Sequence, residues 1–346
     1  MKRLLLSSLL IALAACKSSS TTTTTAEPSQ QPQPVSTPAA PAAPGKVIKA
    51  RFDSAALGVK KDVVVYLPGS YDTSGKRYPV YYYLHGLGGD ETNWTEGGKL
   101  DKTADALALE AIVVMPDGDD GFYADSPKQV DYDACMKDGT GLFVPQRKKS
   151  ETCVRTSKYE TYITKDLISF VDATYRTIAT REGRAIAGLS MGGFGALHLA
   201  MRHPDLFAAA ASHSGVDALL YGGPIPYAKG KVTITADVKT WGDGLGPFGT
   251  WIRGIFGPEI ATWRSYDPAA LVAKLDPKTG PAIYLDCGTE DEFLLHNGMQ
   301  YVHDLLLERG IEHAYYIGPG RHNFEFWAVR VKNSLEWLRT KTTPAR

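Results

Sequence analysis

Arg184-Ala185-Ile186-Ala187-Gly188-Leu189-Ser190-Met191-Gly192-Gly193-Phe194-Gly195 decides how the rest of the chain is read. A short apolar run enters it, Gly-x-Ser-x-Gly sits at its centre, and a small-residue pattern through Leu197, Leu199, Ala200 and Met201 leaves it. Strand, tight turn and helix in that order raise a serine hydroxyl above the carboxyl edge of a parallel sheet. Side chains at Gly188 and Gly192 would collide with the neighbouring strand or helix, and the turn between them forces strained backbone angles on Ser190. Gly193 and Gly195 extend the close approach into the helix, which Pro204 ends. Bare matches to this motif are common, so the flanking elements and the partners found downstream carry the reading.

Serine is a weak nucleophile until a base, itself held by an acid, takes its proton. In a parallel α/β sheet such groups come from loops at the carboxyl ends of strands. Two loops after Ser190 qualify. Asp286-Cys287-Gly288-Thr289-Glu290-Asp291 closes one predicted strand, and Gly318-Pro319-Gly320-Arg321-His322-Asn323-Phe324 follows the last one. His322 is the predicted base and Asp291 the predicted acid, with Glu290 and Asp286 as neighbouring carboxylates for that role. The order Ser190, Asp291, His322 is that of α/β-hydrolases. Of the other histidines, His203 precedes Pro204, while His296, His303 and His313 fall within helix or strand patterns. His213 closes a strand and is read as a packing residue, with lining of the pocket as the alternative.

Charge developing on an attacked carbonyl needs two backbone N–H donors. Met191, the residue after the serine, supplies one. Leu87 supplies the other, in the loop His85-Gly86-Leu87-Gly88-Gly89-Asp90 that follows an apolar strand. No Gly-Lys-Ser/Thr follows that loop, which argues against a phosphate cradle. His85 and Trp94, flanking it, are expected to border the substrate pocket. Asp117, Asp119, Asp120 and Asp125 lack the EF-hand spacing and read as a solvated turn. No His/Cys cluster has zinc spacing, and no metal or cofactor is expected.

Around these loops the chain alternates strands and helices. Val47–Phe52, Asp62–Pro68, Tyr78–Leu84, Ala111–Pro116, the run into Ser190, Phe207–Ser212, Ala282–Asp286 and His313–Ile317 read as strands. Leu100–Leu109, Tyr159–Arg176, Phe293–Glu308 and Asn323–Lys341 read as helices, the second with Ile163, Leu167, Phe170, Val171 and Tyr175 on one face. The pattern predicts one doubly wound, mostly parallel sheet. Two stretches interrupt it. Asp117 to Lys158 is a polar insertion. Val216 to Tyr266, with Trp241, Phe248, Trp251, Phe256 and Trp263, reads as a cap over the site.

Composition narrows the rest. The 38 basic side chains balance 38 acidic ones, which argues against nucleic acid or a polybasic membrane surface as partner. No apolar run is long enough to span a membrane. Lys2 and Arg3 precede an apolar segment from Leu4 to Ala15, so residues 1–15 read as a secretory signal. Leu13-Ala14-Ala15-Cys16 resembles a bacterial lipobox, which would make Cys16 the lipidated mature N-terminus; a freely soluble exported protein is the alternative. Lys17 stands where an aspartate is associated with inner-membrane retention, favouring the outer membrane in a Gram-negative host. Residues 16–45 are rich in Ser, Thr, Pro and Ala and form a disordered tether, leaving 46–346 as the folded domain. In an oxidising compartment Cys135 and Cys153 are candidates for a disulfide, while Cys287, closing a strand, reads as a buried thiol.

These residues together resemble the esterase D-type family of α/β-hydrolases, which includes S-formylglutathione hydrolases, feruloyl and acetyl xylan esterases and mycolyltransferases. The resemblance covers about residues 50–340. It rests on Val65-Tyr66-Leu67-Pro68, Tyr78-Pro79-Val80, Leu84-His85-Gly86 with Trp94, Tyr159-Glu160, Gly188 to Gly193, Cys287 to Asp291, and Gly320-Arg321-His322 with Trp327. It implies a Ser190–His322–Asp291 triad with Leu87 and Met191 as oxyanion donors. The activity it implies is hydrolysis of short acyl, acetyl or feruloyl esters on carbohydrate. An acyltransferase, or a non-catalytic envelope binding protein on the same scaffold, are the alternative readings. The polar insertion and the enlarged cap depart from the family pattern and leave the substrate open.

Overall fold

The computed structural model describes residues 43–139, 148–244 and 246–346. The signal segment, Cys16 and most of the tether lie outside the described residues. Eight strands form one sheet: β1 Lys46–Ser54, β2 Val59–Leu67, β3 Val80–Leu84, β4 Ile112–Pro116, β5 Arg184–Leu189, β6 Ala209–His213, β7 Ala282–Gly288 and β8 His313–Gly318. Their spatial order is β1-β2-β4-β3-β5-β6-β7-β8. β2 runs antiparallel to both β1 and β4, and every other pairing is parallel.

The continuous apolar runs follow from burial on both faces. In β3, Val80, Tyr82 and Leu84 face the layer holding the helix after Ser190, while Tyr81 and Tyr83 face the C-terminal helix Phe324–Lys341. The predicted helix from Tyr159 carries a π turn, Tyr162–Leu167, between Tyr159–Thr161 and Ile168–Thr174. The wider turn stacks Ile163, Leu167 and Val171 at intervals of four and buries all three, leaving Phe170 and Tyr175 at the edge of the core.

The aspartate-rich stretch is not a solvated turn. Lys61 points inward on β2, on the same side as Val63 and Val65, and its Nζ meets Asp117 Oδ2 and Asp119 Oδ2 at 2.8 Å each. Burial alone would lower the lysine's pKa, but the two carboxylates outweigh it and hold the ammonium above its ordinary value. Tyr159 donates to Asp119 Oδ2 at 2.7 Å, and Asp125 accepts from Thr161 N at 3.0 Å. Asp120 Oδ1 accepts from Gly88 N at 2.7 Å, so the insertion braces the loop that carries Leu87. Cys135 and Cys153 form a disulfide, and Cys287 is a buried free thiol.

Helices Val238–Gly244, Gly246–Phe256 and Ile260–Tyr266 build most of the cap. Its aromatics divide by position. Phe248 reaches the cavity before Ser190, whereas Phe256 and Trp263 are buried and pack on each other at 5.1 Å.

Candidate active site

Strand β5 delivers Ser190 into the turn at φ 53° and ψ −118°, and the helix Met191–Arg202 leaves at once. A Cβ on Gly188 would lie 2.3 Å from the Gly192 backbone, and one on Gly192 would lie 2.3 Å from the Leu84 carbonyl oxygen. The chain therefore crosses itself there at a separation only glycine permits. Ser190 N donates to His213 O at 2.9 Å, which ties the turn to the neighbouring strand.

Two loops bring the partners from far along the chain. Thr289 N donates to Gly318 O at 2.8 Å and Glu290 N to Gly320 O at 2.9 Å, zipping the loop after β7 to the loop after β8. His322 Nδ1 donates to Asp291 Oδ2 at 2.7 Å, and Ser190 Oγ donates to His322 Nε2 at 2.9 Å. Asp291 is buried, and its other oxygen accepts from Phe293 N at 2.9 Å. Both oxygens accept, so the carboxylate holds the imidazole with its proton on Nδ1 and leaves Nε2 free to take one. Glu292 accepts from His322 N at 2.9 Å and pairs with Arg321. The His322 backbone N–H and the Arg321 charge hold that exposed carboxyl low, at about 2. The Phe293 and Trp327 rings make T-shaped contacts with the imidazole, with centroids 4.8 and 4.9 Å away.

Met191 is the first helical residue, so its N–H has no acceptor within the helix. Leu87 and Met191 line the same cavity as Ser190 and His322, of about 580 Å³. Phe122, Val216, Ile252 and Trp327 make its wall largely apolar, and Ile225, Phe293 and Leu294 carry that character out to exposed positions at the mouth.

The structure moves two expected pocket residues, His85 and Trp94, elsewhere, and keeps His213 as the packing residue it was read to be. His85 is buried below the loop: Nδ1 donates to Gly86 O at 2.7 Å while Nε2 accepts from Gly118 N at 2.8 Å. Trp94 is buried and donates its indole N–H to Leu84 O at 2.9 Å, fixing the end of β3. His213 is fully buried: Nδ1 donates to Asp286 Oδ1 at 2.8 Å, and Nε2 lies 2.9 Å from Ser334 Oγ. Ser334, His213 and Asp286 thus repeat the triad's residue types in a place with no exposure. Tyr284 and Arg330 also donate to Asp286, at 2.7 and 2.9 Å. This second arrangement ties β6 and β7 to the C-terminal helix, and it takes Asp286 out of contention as the partner of His322. Of the remaining histidines, His203 pairs with Glu160, and His303 with His313. Among the described residues no group of three His, Cys, Asp or Glu could hold a metal ion.

Sequence reasoning missed Lys61 and Glu292, and read Asp120, which braces the Leu87 loop, as solvated. Lys61 had a signal: with Val63 and Val65 it shares the inward face of a period-two strand, where a charge needs a buried partner.

A mostly parallel sheet with a serine on the strained turn after a central strand is the architecture of an α/β-hydrolase. Within that class, the chain belongs to the family described as "Putative esterase", whose model matches residues 54–338. An esterase of Mycobacterium tuberculosis is 31% identical over 281 residues, covering 79% of this chain and 55% of its own. This chain thus spans about half the length of that relative. An acetyl esterase of Caldicellulosiruptor saccharolyticus is 24% identical over 271 residues, covering 77% of this chain and 85% of its own. Among solved structures, a ferulic acid esterase superposes with a TM-score of 0.61 at 24% identity, over 85% of this chain and 97% of that one. A fluorophosphonate-binding serine hydrolase of Staphylococcus aureus gives 0.63 at 23%, over 85% and 98%. These two structural likenesses, under 25% identical, bear on the fold alone.

Proposed function

We propose that the protein is a serine carboxylic ester hydrolase. The observation that carries this reading is the unbroken hydrogen-bonded line from Ser190 Oγ through His322 to Asp291, opening onto an apolar cavity. His322 Nε2 takes the Ser190 proton as Oγ attacks the ester carbonyl, and Asp291 stabilises the imidazolium that results. Met191 N–H and Leu87 N–H receive the oxyanion. Nε2–H then protonates the departing alkoxide, and water, activated by the same imidazole, releases the acid from the acyl-enzyme. The apolar wall and the relative named acetyl esterase support short acyl esters, and Phe122, Phe248 and Phe293 in the cavity suit an aromatic acyl group such as feruloyl. Hydrolysis of p-nitrophenyl acetate tests the chemistry: turnover is expected from the native protein and not from Ser190→Ala, and equal rates would reject it.

The disulfide and the Leu13–Cys16 motif support export with Cys16 as a lipid anchor at the bacterial envelope. Incorporation of labelled palmitate, lost in Cys16→Ser, is the expected result; labelling that persists in the variant argues against it.

A further inference from the structure

Behind Asp291 sits a thiol that takes no part in the proton transfers. Cys287 lies near the end of β7, opposite Ile317 of β8, and its side chain is fully buried. Its Sγ is 3.5 Å from Asp291 Oδ2, within the reach of a sulfur donor, and Oδ2 is the oxygen that also holds His322 Nδ1. A carboxylate oxygen has lone pairs for two donors. With Phe293 N on Oδ1, Asp291 is held from three sides.

The neighbours fix where the thiol hydrogen points. Trp327 Nε1, which can only donate, gives its hydrogen to Ser214 Oγ at 3.2 Å. The Ser214 hydroxyl in turn reaches Cys287 Sγ, which leaves the thiol hydrogen for Asp291. Trp327 also packs its ring against His322, so the line Trp327–Ser214–Cys287–Asp291 starts and ends at the imidazole. Two carboxyls face the sulfur, Asp291 and Asp217. Burial, together with the like charges of Asp286 and Asp267, pushes Asp217 itself up to about 7. For the thiol, burial first and the Asp291 charge next push its pKa well above the ordinary value, so sulfur keeps its hydrogen wherever the enzyme works.

We infer that Cys287 is a positioning residue of the triad: its S–H orients the Asp291 carboxylate and draws off part of the charge that would otherwise stabilise the His322 imidazolium. This rests on the serine hydrolase reading and adds to it the group that sets the strength of the base. Without the S–H, Oδ2 serves the imidazolium alone, and the imidazole holds its second proton to higher pH.

Two measurements test this. Infrared difference spectra of native protein against Cys287→Ala isolate the S–H stretching band. It is expected below the frequency of an unbonded thiol, and should rise in Asp291→Asn, where the amide NH2 replaces the acceptor. A native band at the unbonded frequency, or one that Asp291→Asn leaves in place, would overturn the inference. The second is the pH profile of kcat/KM with p-nitrophenyl acetate for the native protein, Cys287→Ala and Cys287→Val. Both variants lack the S–H, while one side chain is smaller than cysteine and the other bulkier. The acid limb should move upward in both by about half a pH unit, the low end of what one hydrogen bond is worth. A limb that stays in place, or moves in opposite directions in the two variants, marks a packing residue and overturns the inference. Turnover that does not depend on Ser190 would instead refute the hydrolase reading, and the S–H band, read without substrate, tells the two failures apart.

Discussion

Asp291→Asn separates a triad from a chance contact, because the structure dictates how the amide must sit. Asp291 Oδ1 accepts from Phe293 N at 2.9 Å. In the variant that N–H still requires an oxygen, so the amide oxygen stays there and the amide NH2 falls where Oδ2 now meets His322 at 2.7 Å. Two donors cannot face each other. The imidazole therefore gives up its Nδ1 proton and carries one on Nε2 instead, pointing a donor at Ser190 Oγ where an acceptor is needed. The side chains are nearly isosteric, so the fold is kept while the base is lost. Wrong-tautomer variants of this kind lose roughly 10⁴ in kcat, a barrier increase of about 5.5 kcal/mol. Steady-state hydrolysis of p-nitrophenyl acetate at neutral pH, alongside a thermal melt, reads the effect. A folded variant within tenfold of native kcat would refute the argument.

Other substitutions probe the supports. Lys61→Met leaves Asp117 and Asp119 buried together without their cation, and should cost about 3–5 kcal/mol in urea unfolding; an unchanged midpoint contradicts the buried cluster. Reducing Cys135–Cys153 releases a bridge with a sequence separation of 18, worth about 3 kcal/mol by loop closure, so the melting temperature should fall with dithiothreitol and not in a Cys135→Ser/Cys153→Ser variant. The Asp217 carboxyl sits at about 7 against an ordinary 3.8. A raised acid favours the fold below its unfolded value, and that contribution is lost as pH climbs to its folded value. Asp217→Asn, which does not ionise, should therefore gain stability over the native protein between pH 4 and pH 7, by on the order of a few kcal/mol. A difference that stays constant across that range rejects the shift.

The elements that read cleanly in the sequence are those whose cause is local. β3 and β5 are continuous apolar runs because both faces are covered, and the turn at Ser190 is spelled out by glycines that nothing larger can replace. That Asp291 and His322 would come together beside Ser190 was legible because the fold class places loops at the carboxyl ends of the strands. The misreadings share another cause. His85 and Trp94 stand next to the loops around Ser190, and adjacency in sequence could not say on which side of the backbone each ring falls. His213 finds Ser334, 121 residues away, a pairing fixed only when the last helix docks. The aspartates after β4 looked solvated because their counter-charge, Lys61, lies 56 residues upstream of Asp117. The π turn at Tyr162–Leu167 leaves the helical pattern almost unaltered and shows only in which residues are buried.

Treatment of the folded protein with a fluorophosphonate probe, followed by peptide mass analysis, tests the central claim most directly. One adduct on the Ser190 peptide is expected, absent from Ser190→Ala and strongly slowed in Asp291→Asn. A folded protein that takes no label, or labelling undiminished by Ser190→Ala, would contradict it.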